Sequence, residues 1–219
     1  MKKYLALVLA MICLLCGCSK TTVVGMTTTK TDKTPVTEAE KEEPAEVPEE
    51  AAELTGKVQV EIKVKDYGSI AVELDADAAP KTVTNFVKLA KEGFYDGLTF
   101  HRIMAGFLMQ GGDPLGNGTG GSDEQIFGEF AANGFENPLS HTRGAISMAR
   151  AQNPNSASSQ FFIVHEDSDF LDGQYAAFGY VTEGMDVVDA ICTEAKPVDN
   201  NGSIPADQQP VIESITVLE

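Results

Sequence analysis

The run FHRIMAGFLMQGGDP, Phe100–Pro114, sets one arginine, Arg102, in an otherwise apolar stretch and follows it with Gln110. A guanidinium buried without partners is very costly. Arg102 therefore either pairs with a carboxylate as part of the architecture or points into a site. QFFIVHE at 160–166 and DFLDGQYAAFG at 169–179 add Gln160 and a group of aromatic residues. Together these describe a groove of aromatic and aliphatic groups with one guanidinium and two carboxamides, or else a packed core. Other machinery is missing. The three histidines, His101, His141 and His165, lack the spacing of an HExxH metal site. There is no GxSxG nucleophile turn. Gly116–Gly121, GNGTGG, satisfies GxGxxG, but a dinucleotide fingerprint needs a strand directly before it and a helix directly after. Here Pro114 precedes and SDEQIFGEF follows, so the segment reads as a surface loop. No metal or organic cofactor is implied.

Strands and two helices must hold these residues in place. From Lys57, KVQVEIKV alternates apolar and polar residues, the period of a half-buried strand. Lys65–Gly68 reads as a turn and SIAVELD as a second strand. Pro80 opens a helix with Val83, Phe86, Val87, Leu89 and Ala90 on one apolar face, and Gly93 sits where that helix should stop. GAISMARA, QFFIVHE and AAFGYV are short strand-like runs, EGMDVVDAICT is a second helix, and PVIESITVLE is a closing strand. Many short strands with only two helices suggest an antiparallel barrel.

At these residues the chain resembles the cyclophilin family of peptidyl-prolyl cis-trans isomerases. FHRIMAGFLMQGGD matches the family signature FHRxxxxFxxQGGD; APKTVTNF at 79–86, NGTGG at 117–121, GAISMARA at 144–151, SQFFI at 159–163 and FLDG…FG at 170–179 follow the family's order. The resemblance covers about residues 57–219. It implies a closed eight-stranded antiparallel β-barrel capped by two α-helices over residues 56–219, and rotation about Xaa-Pro bonds. By position in the motif, Arg102 corresponds to the catalytic arginine, with Phe107 and Gln110 beside it in the catalytic set. Leu108, Phe162 and Leu171 match the proline pocket. Ala149 and Arg150 match the strand edge where substrate backbone docks, and Gln160, Phe170 and Tyr175 complete the binding set. Phe170 stands where many eukaryotic members carry Trp, which implies weakened cyclosporin sensitivity. Tyr175 stands where many carry His, and the chain differs by one residue in length near Gln152–Ser159. No cofactor is implied, and the partners are proline-containing polypeptides.

The N-terminus points to export. Lys2 and Lys3 precede an apolar core at 4–16, which is shorter than the roughly 20 residues a bilayer span needs. Leu15-Cys16-Gly17-Cys18 resembles the lipobox of bacterial lipoproteins. That reading makes residues 1–17 a signal peptide and Cys18 the lipidation site, carrying acyl chains such as palmitate that anchor the chain firmly. Residues 18–55 are rich in Thr, Glu and Pro. Between Glu38 and Glu53 there are eight glutamates against Lys41, the composition of a disordered, extended tether. Only Cys192 lies beyond residue 18, so neither a disulfide framework nor a zinc site is expected. The net charge of −17 argues against a nucleic-acid backbone as partner.

These readings converge on a monomeric isomerase, lipid-anchored at the extracytoplasmic face of the cell membrane and assisting the folding of exported proteins. A proline-segment binding module without turnover, and a surface adhesin, are the competing readings. The Arg102–Gln110 pair favours the enzyme, because a pure binder has no chemical need for it.

Overall fold

The protein is described here by a computed structural model over residues 52–218. The signal peptide, Cys18 and residues 18–51 of the tether lie outside the described residues. The chain runs β1 (Lys57–Val64), β2 (Gly68–Asp75), α1 (Pro80–Lys91), β3 (Thr99–Met104), β4 (Leu108–Asp113), β5 (Ala145–Met148), β6 (Phe161–Val164), β7 (Ala177–Glu183), α2 (Met185–Glu194) and β8 (Ile212–Val217). All pairings are antiparallel, and the sheet order is β3-β4-β6-β5-β7-β2-β1-β8.

Alternation decides the register of the first hairpin. Val60, Ile62 and Val64 on β1, and Ile70, Val72 and Leu74 on β2, are buried, and Val60 faces Val72 across the ladder. A slip of one residue would turn this whole set to solvent. Helix α1 lays Val83, Phe86, Val87, Leu89 and Ala90 against the sheet, as their spacing predicts. Gly93, at φ +71°, ends it: Gly93 N–H donates to Ala90 O and Phe94 N–H to Leu89 O, both at 3.0 Å. Phe86 is the centre of an aromatic cluster with Tyr95, Phe161 and Phe178, at ring-centroid distances of 5.1, 5.4 and 5.2 Å.

The sheet curls into an open half-barrel, which corrects the expectation of a closed one. The start of β3 meets the start of β8 over a short patch: Thr99 bridges Val211, Phe100 N–H donates to Pro210 O at 2.9 Å, and Ile212 N–H donates to Leu98 O at 2.8 Å. Further along β3 the neighbour is the 202–204 segment: Ile103 N–H donates to Gly202 O at 2.8 Å, and Ile204 N–H to His101 O at 2.9 Å. Between these contacts the chain bulges through a short 3-10 turn at Ala206–Gln208, flanked by Pro205 and Pro210. Neither proline has an N–H to donate, so no continuous ladder can close the seam.

Two buried carboxylates organise what the strands leave loose. Asp113, at the end of β4, accepts backbone N–H groups from Leu115 (2.8 Å), Asn117 (3.0 Å) and Gly118 (2.6 Å), and from Gly120. Burial alone would push the Asp113 carboxyl up; these four donors outweigh it and hold it below its ordinary value. The glycine-rich loop thus wraps an anion of its own chain, not a phosphate. Glu129 serves α1. That helix has no side-chain cap at Ala79, and Glu129 accepts from Lys81 N–H (3.0 Å), Thr82 N–H (2.9 Å) and Thr82 Oγ1–H (2.7 Å).

Glu129 is fully buried, so truncating it strands three donors at once. Glu129→Ala is expected to lower the unfolding free energy by about 3 kcal/mol, and Glu129→Gln by less, in urea titrations. A loss within about 0.5 kcal/mol would mean that α1 is not held from this loop.

Candidate active site

Two compensating irregularities in the β3–β4 ladder aim Arg102. Thr99 pairs with Asp113, Phe100 with Gly111, and Arg102 with Gln110, so Gly112 is extra on β4 and His101 is extra on β3. A bulge of this kind turns the side chains beyond it. Phe100, His101 and Ile103 are buried, while Arg102 comes out on the face opposite the main core. Glycine is required where the strands approach. A Cβ at 111 would lie 2.8 Å from Phe100 Cδ1 and Thr99 O, and one at 112 would lie 2.7 Å from Ser159 O.

The structure decides between the two readings of Arg102. Among the described residues no carboxylate pairs with it. Nη1 donates to Gln110 Oε1 at 3.1 Å, Nε to the Asn201 carbonyl at 2.8 Å, and Nη2 contacts Met104 Sδ at 3.2 Å. Burial lowers its pKa, against the pull of Tyr175 and Asp199. A guanidinium only donates, so Gln110 must present its oxygen to it. Gln110 Nε2 then donates to Gln160 Oε1 at 2.9 Å, and Gln160 Nε2 to Gly120 O at 2.7 Å. The arginine thereby sets the orientation of both amides and ties them to the glycine-rich loop.

Arg102 borders a cavity of about 270 Å³ lined by Phe107, Leu108, Gln110, Ala149, Arg150, Phe162, Leu171 and Tyr175. Of the sequence-selected groove residues only two stand apart. Gln160 lines an adjoining depression of about 310 Å³ with Gly118–Ser122 and Ala149–Ala151. Phe170 is 65% exposed at the rim, its ring 5.6 Å from that of Phe107. The strand period explains the apolar wall: on β6 Phe161 enters the main core, while Phe162 joins Leu108, Val164 and Leu171 on the other face. Arg150 stacks between Tyr175 and Phe130, 4.6 and 5.0 Å from the ring centroids, and donates to Gln174 O and Ala151 O.

Sequence reasoning missed the layer beneath Phe162. The His141 ring stacks on it at 6.1 Å. His141 Nε2 meets Ser147 Oγ at 2.9 Å and Nδ1 meets Asp172 Oδ1 at 2.8 Å. This Ser-His-Asp row has the order of a nucleophilic triad, but Ser147 and His141 are fully buried and no acyl group can reach them. It is a floor that fixes the Phe162 ring. The Asn201 anchor was also missed, because it works through a backbone carbonyl, which residue type does not encode.

Residues 59–217 match the family described as cyclophilin type peptidyl-prolyl cis-trans isomerase. A peptidyl-prolyl cis-trans isomerase of Helicobacter pylori is 51% identical over 126 residues, 57% of this chain and 74% of that protein. Peptidyl-prolyl cis-trans isomerase B of Bacillus subtilis is 50% identical over 123 residues, 56% of this chain and 82% of that protein. A cyclophilin-type isomerase of Cryptosporidium parvum, solved in the presence of the dipeptide Ala-Pro, superposes with a TM-score of 0.65 at 30% identity; the match covers 74% of this chain and 99% of that one.

Burial pushes both His101 and His141 below the usual 6.5, in each case against a nearby carboxylate, Asp113 for the first and Asp172 for the second. The unfolded chain takes up these protons near 6.5, and the fold refuses them. Their contribution to stability is complete above that pH and is lost as pH falls below it. The urea midpoint is therefore expected to drop between pH 7.5 and 5.5, and to drop less in His141→Asn; equal midpoints at the two pH values would refute this.

Proposed function

The chain belongs to the cyclophilin family of peptidyl-prolyl cis-trans isomerases, and we propose that it turns Xaa-Pro bonds in exported polypeptides from a lipid anchor on the outer face of the cell membrane. The protein is an isomerase, and its substrates are proline-containing polypeptides.

The reaction makes and breaks no covalent bond. Amide resonance imposes a barrier of about 18–20 kcal/mol, and only interactions stronger with the twisted amide than with either planar form lower it. Bringing the uncatalysed time of tens to hundreds of seconds into the millisecond range takes roughly five decades, or about 7 kcal/mol. In the twisted state the proline nitrogen loses conjugation and gains a localised lone pair. We assign Arg102 to donate to that nitrogen and to hold the adjacent carbonyl. The observation that carries this is its coordination: an amide, a backbone carbonyl and a thioether fix the guanidinium without neutralising it. Phe107, Leu108, Phe162 and Leu171 hold the pyrrolidine ring while the other side of the bond rotates. Gln110 sets the guanidinium and binds substrate backbone, and the backbone at Ala149 and Arg150 docks the chain beyond. Gln160, Phe170 and Tyr175 extend the contact surface.

The membrane reading rests on the lipobox-like Leu15–Cys18 behind a signal-like core and on the acidic spacer that follows. Among the described residues no helix is long and apolar enough to cross a membrane. A lipid on Cys18 would hold the domain at the bilayer surface, where exported chains emerge unfolded.

Two measurements test this. In a cis-to-trans relaxation assay on an Ala-Pro peptide, Arg102→Ala in the full chain is expected to lower kcat/KM by about 100-fold or more. Retention of most activity would remove Arg102 from the mechanism. In cells fed radiolabelled palmitate, the chain is expected to take up label and to partition with membranes, and Cys18→Ala to do neither. Equal labelling of the two would sink the anchor.

A further inference from the structure

The wall residue Phe107 sits on the turn between β3 and β4, Ala105-Gly106-Phe107, where Gly106 has φ +79°. Within the turn, Phe107 N–H donates to Met104 O at 2.9 Å. Besides ring contacts of Phe107 with Phe170 and Arg102, the outside hydrogen bonds described for its backbone come from one residue, His165, at the end of β6. Its backbone N–H donates to Phe107 O at 2.8 Å, and its ring Nδ1 accepts from Gly106 N–H at 2.8 Å. His165 thus grips the Ala105–Gly106 peptide through its N–H and the Phe107–Leu108 peptide through its carbonyl.

The ring's protonation is dictated by its partners. A backbone N–H only donates, so Nδ1 must keep its lone pair and the proton sits on Nε2. Nε2–H points to Asp189 Oδ1 of α2 at 3.1 Å. Asp189 also takes both of its oxygens to Arg143 Nη2, at 2.7 and 2.8 Å, and Arg143 Nη1 donates to His165 O at 2.6 Å. The Arg143 hydrogen bond holds the Asp189 carboxyl below its usual range, against a weaker opposing push from burial. Asp189 and Arg143 are the charged groups that meet the ring and its carbonyl; Glu166 and Asp167 follow on its own strand end, and the turn itself brings no charge.

We propose that His165 is a positioning residue for the isomerase site, and that its ring Nδ1 fixes the Phe107 wall by accepting from Gly106. The inference rests on the isomerase reading of the pocket. Without an acceptor at Nδ1 the bond from Gly106 is lost, and the turn keeps one outside backbone hydrogen bond in place of two. Arg102 is held by Gln110 and Asn201, which this change does not touch. The effect therefore falls on substrate capture more than on turnover.

The test is an initial-rate series on the Ala-Pro peptide with the full chain, giving KM and kcat separately. Asn places an amide oxygen where Nδ1 lies; Gln reaches towards Nε2 and leaves Gly106 without an acceptor. His165→Gln is expected to raise KM about three- to ten-fold, the size of one ordinary hydrogen bond, with kcat within about two-fold. His165→Asn is expected to restore KM to within about two-fold of wild type. The proposal is overturned if the two variants fail alike or if neither changes KM. Should His165→Gln not fold, as thermal unfolding would reveal, His165→Ala takes its place in the comparison with His165→Asn. A wild-type chain without any acceleration would instead sink the isomerase reading itself.

Discussion

A guanidinium that is to stabilise a developing lone pair must be held without being neutralised. It has five donors and no acceptor, so whatever holds it must accept. A carboxylate would hold Arg102 well but would compete with the substrate for its charge. The fold supplies an amide oxygen, a backbone carbonyl and a thioether sulfur instead. Much of the surrounding architecture follows from this choice. The extra residues on the two strands cancel in register, so Gln110 stays opposite Arg102 while the side chain of Arg102 is turned out, and the close approach there needs Gly111 and Gly112. The amide of Gln110 then needs an acceptor, Gln160 needs another, and the relay ends on a loop that is itself wound around Asp113.

The same strands serve two environments. β4 and β6 send Met109, Phe161 and Ile163 into the main core, and Leu108, Phe162 and Val164 to the groove side. Rigidity in one is therefore transmitted to the other over a single residue step. Phe162 illustrates this: its backbone neighbour Phe161 packs edge-on against Phe86 and Tyr95, and its own ring lies on a buried imidazole. A pocket wall built in this way cannot shift without disturbing close-packed aromatics.

The groove was largely legible in the sequence because its parts are type-specific. One arginine in an apolar run, two glutamines and the aromatics flanking them fitted either a groove or a packed core, and the family motifs pointed to the groove. The strands of the first hairpin and the apolar face of α1 were legible from period alone. What escaped had no such signature. The open seam between β3 and β8 depends on two prolines acting at a distance from the strands they interrupt. The Glu129 cap joins residues 47 positions apart, with nothing at the helix start to announce it. His141 drew attention only as a histidine without metal spacing; its role comes from what it lies under. A carbonyl such as that of Asn201 can be supplied by any residue, so no reading of side chains would select it.

That carbonyl has a consequence for biogenesis. Arg102 and Asn201 are separated by 99 positions in the chain. During synthesis the arginine emerges long before the segment that anchors its Nε, and domains are made from the N-terminus onward. Until residues near 201 arrive, the half-formed domain has a groove without a fixed guanidinium. Its own prolines beyond the first strands, Pro114, Pro138 and Pro154 among them, must settle their peptide isomers without help from the molecule they belong to. A half-made copy therefore settles these bonds at the uncatalysed pace unless a finished isomerase acts on it.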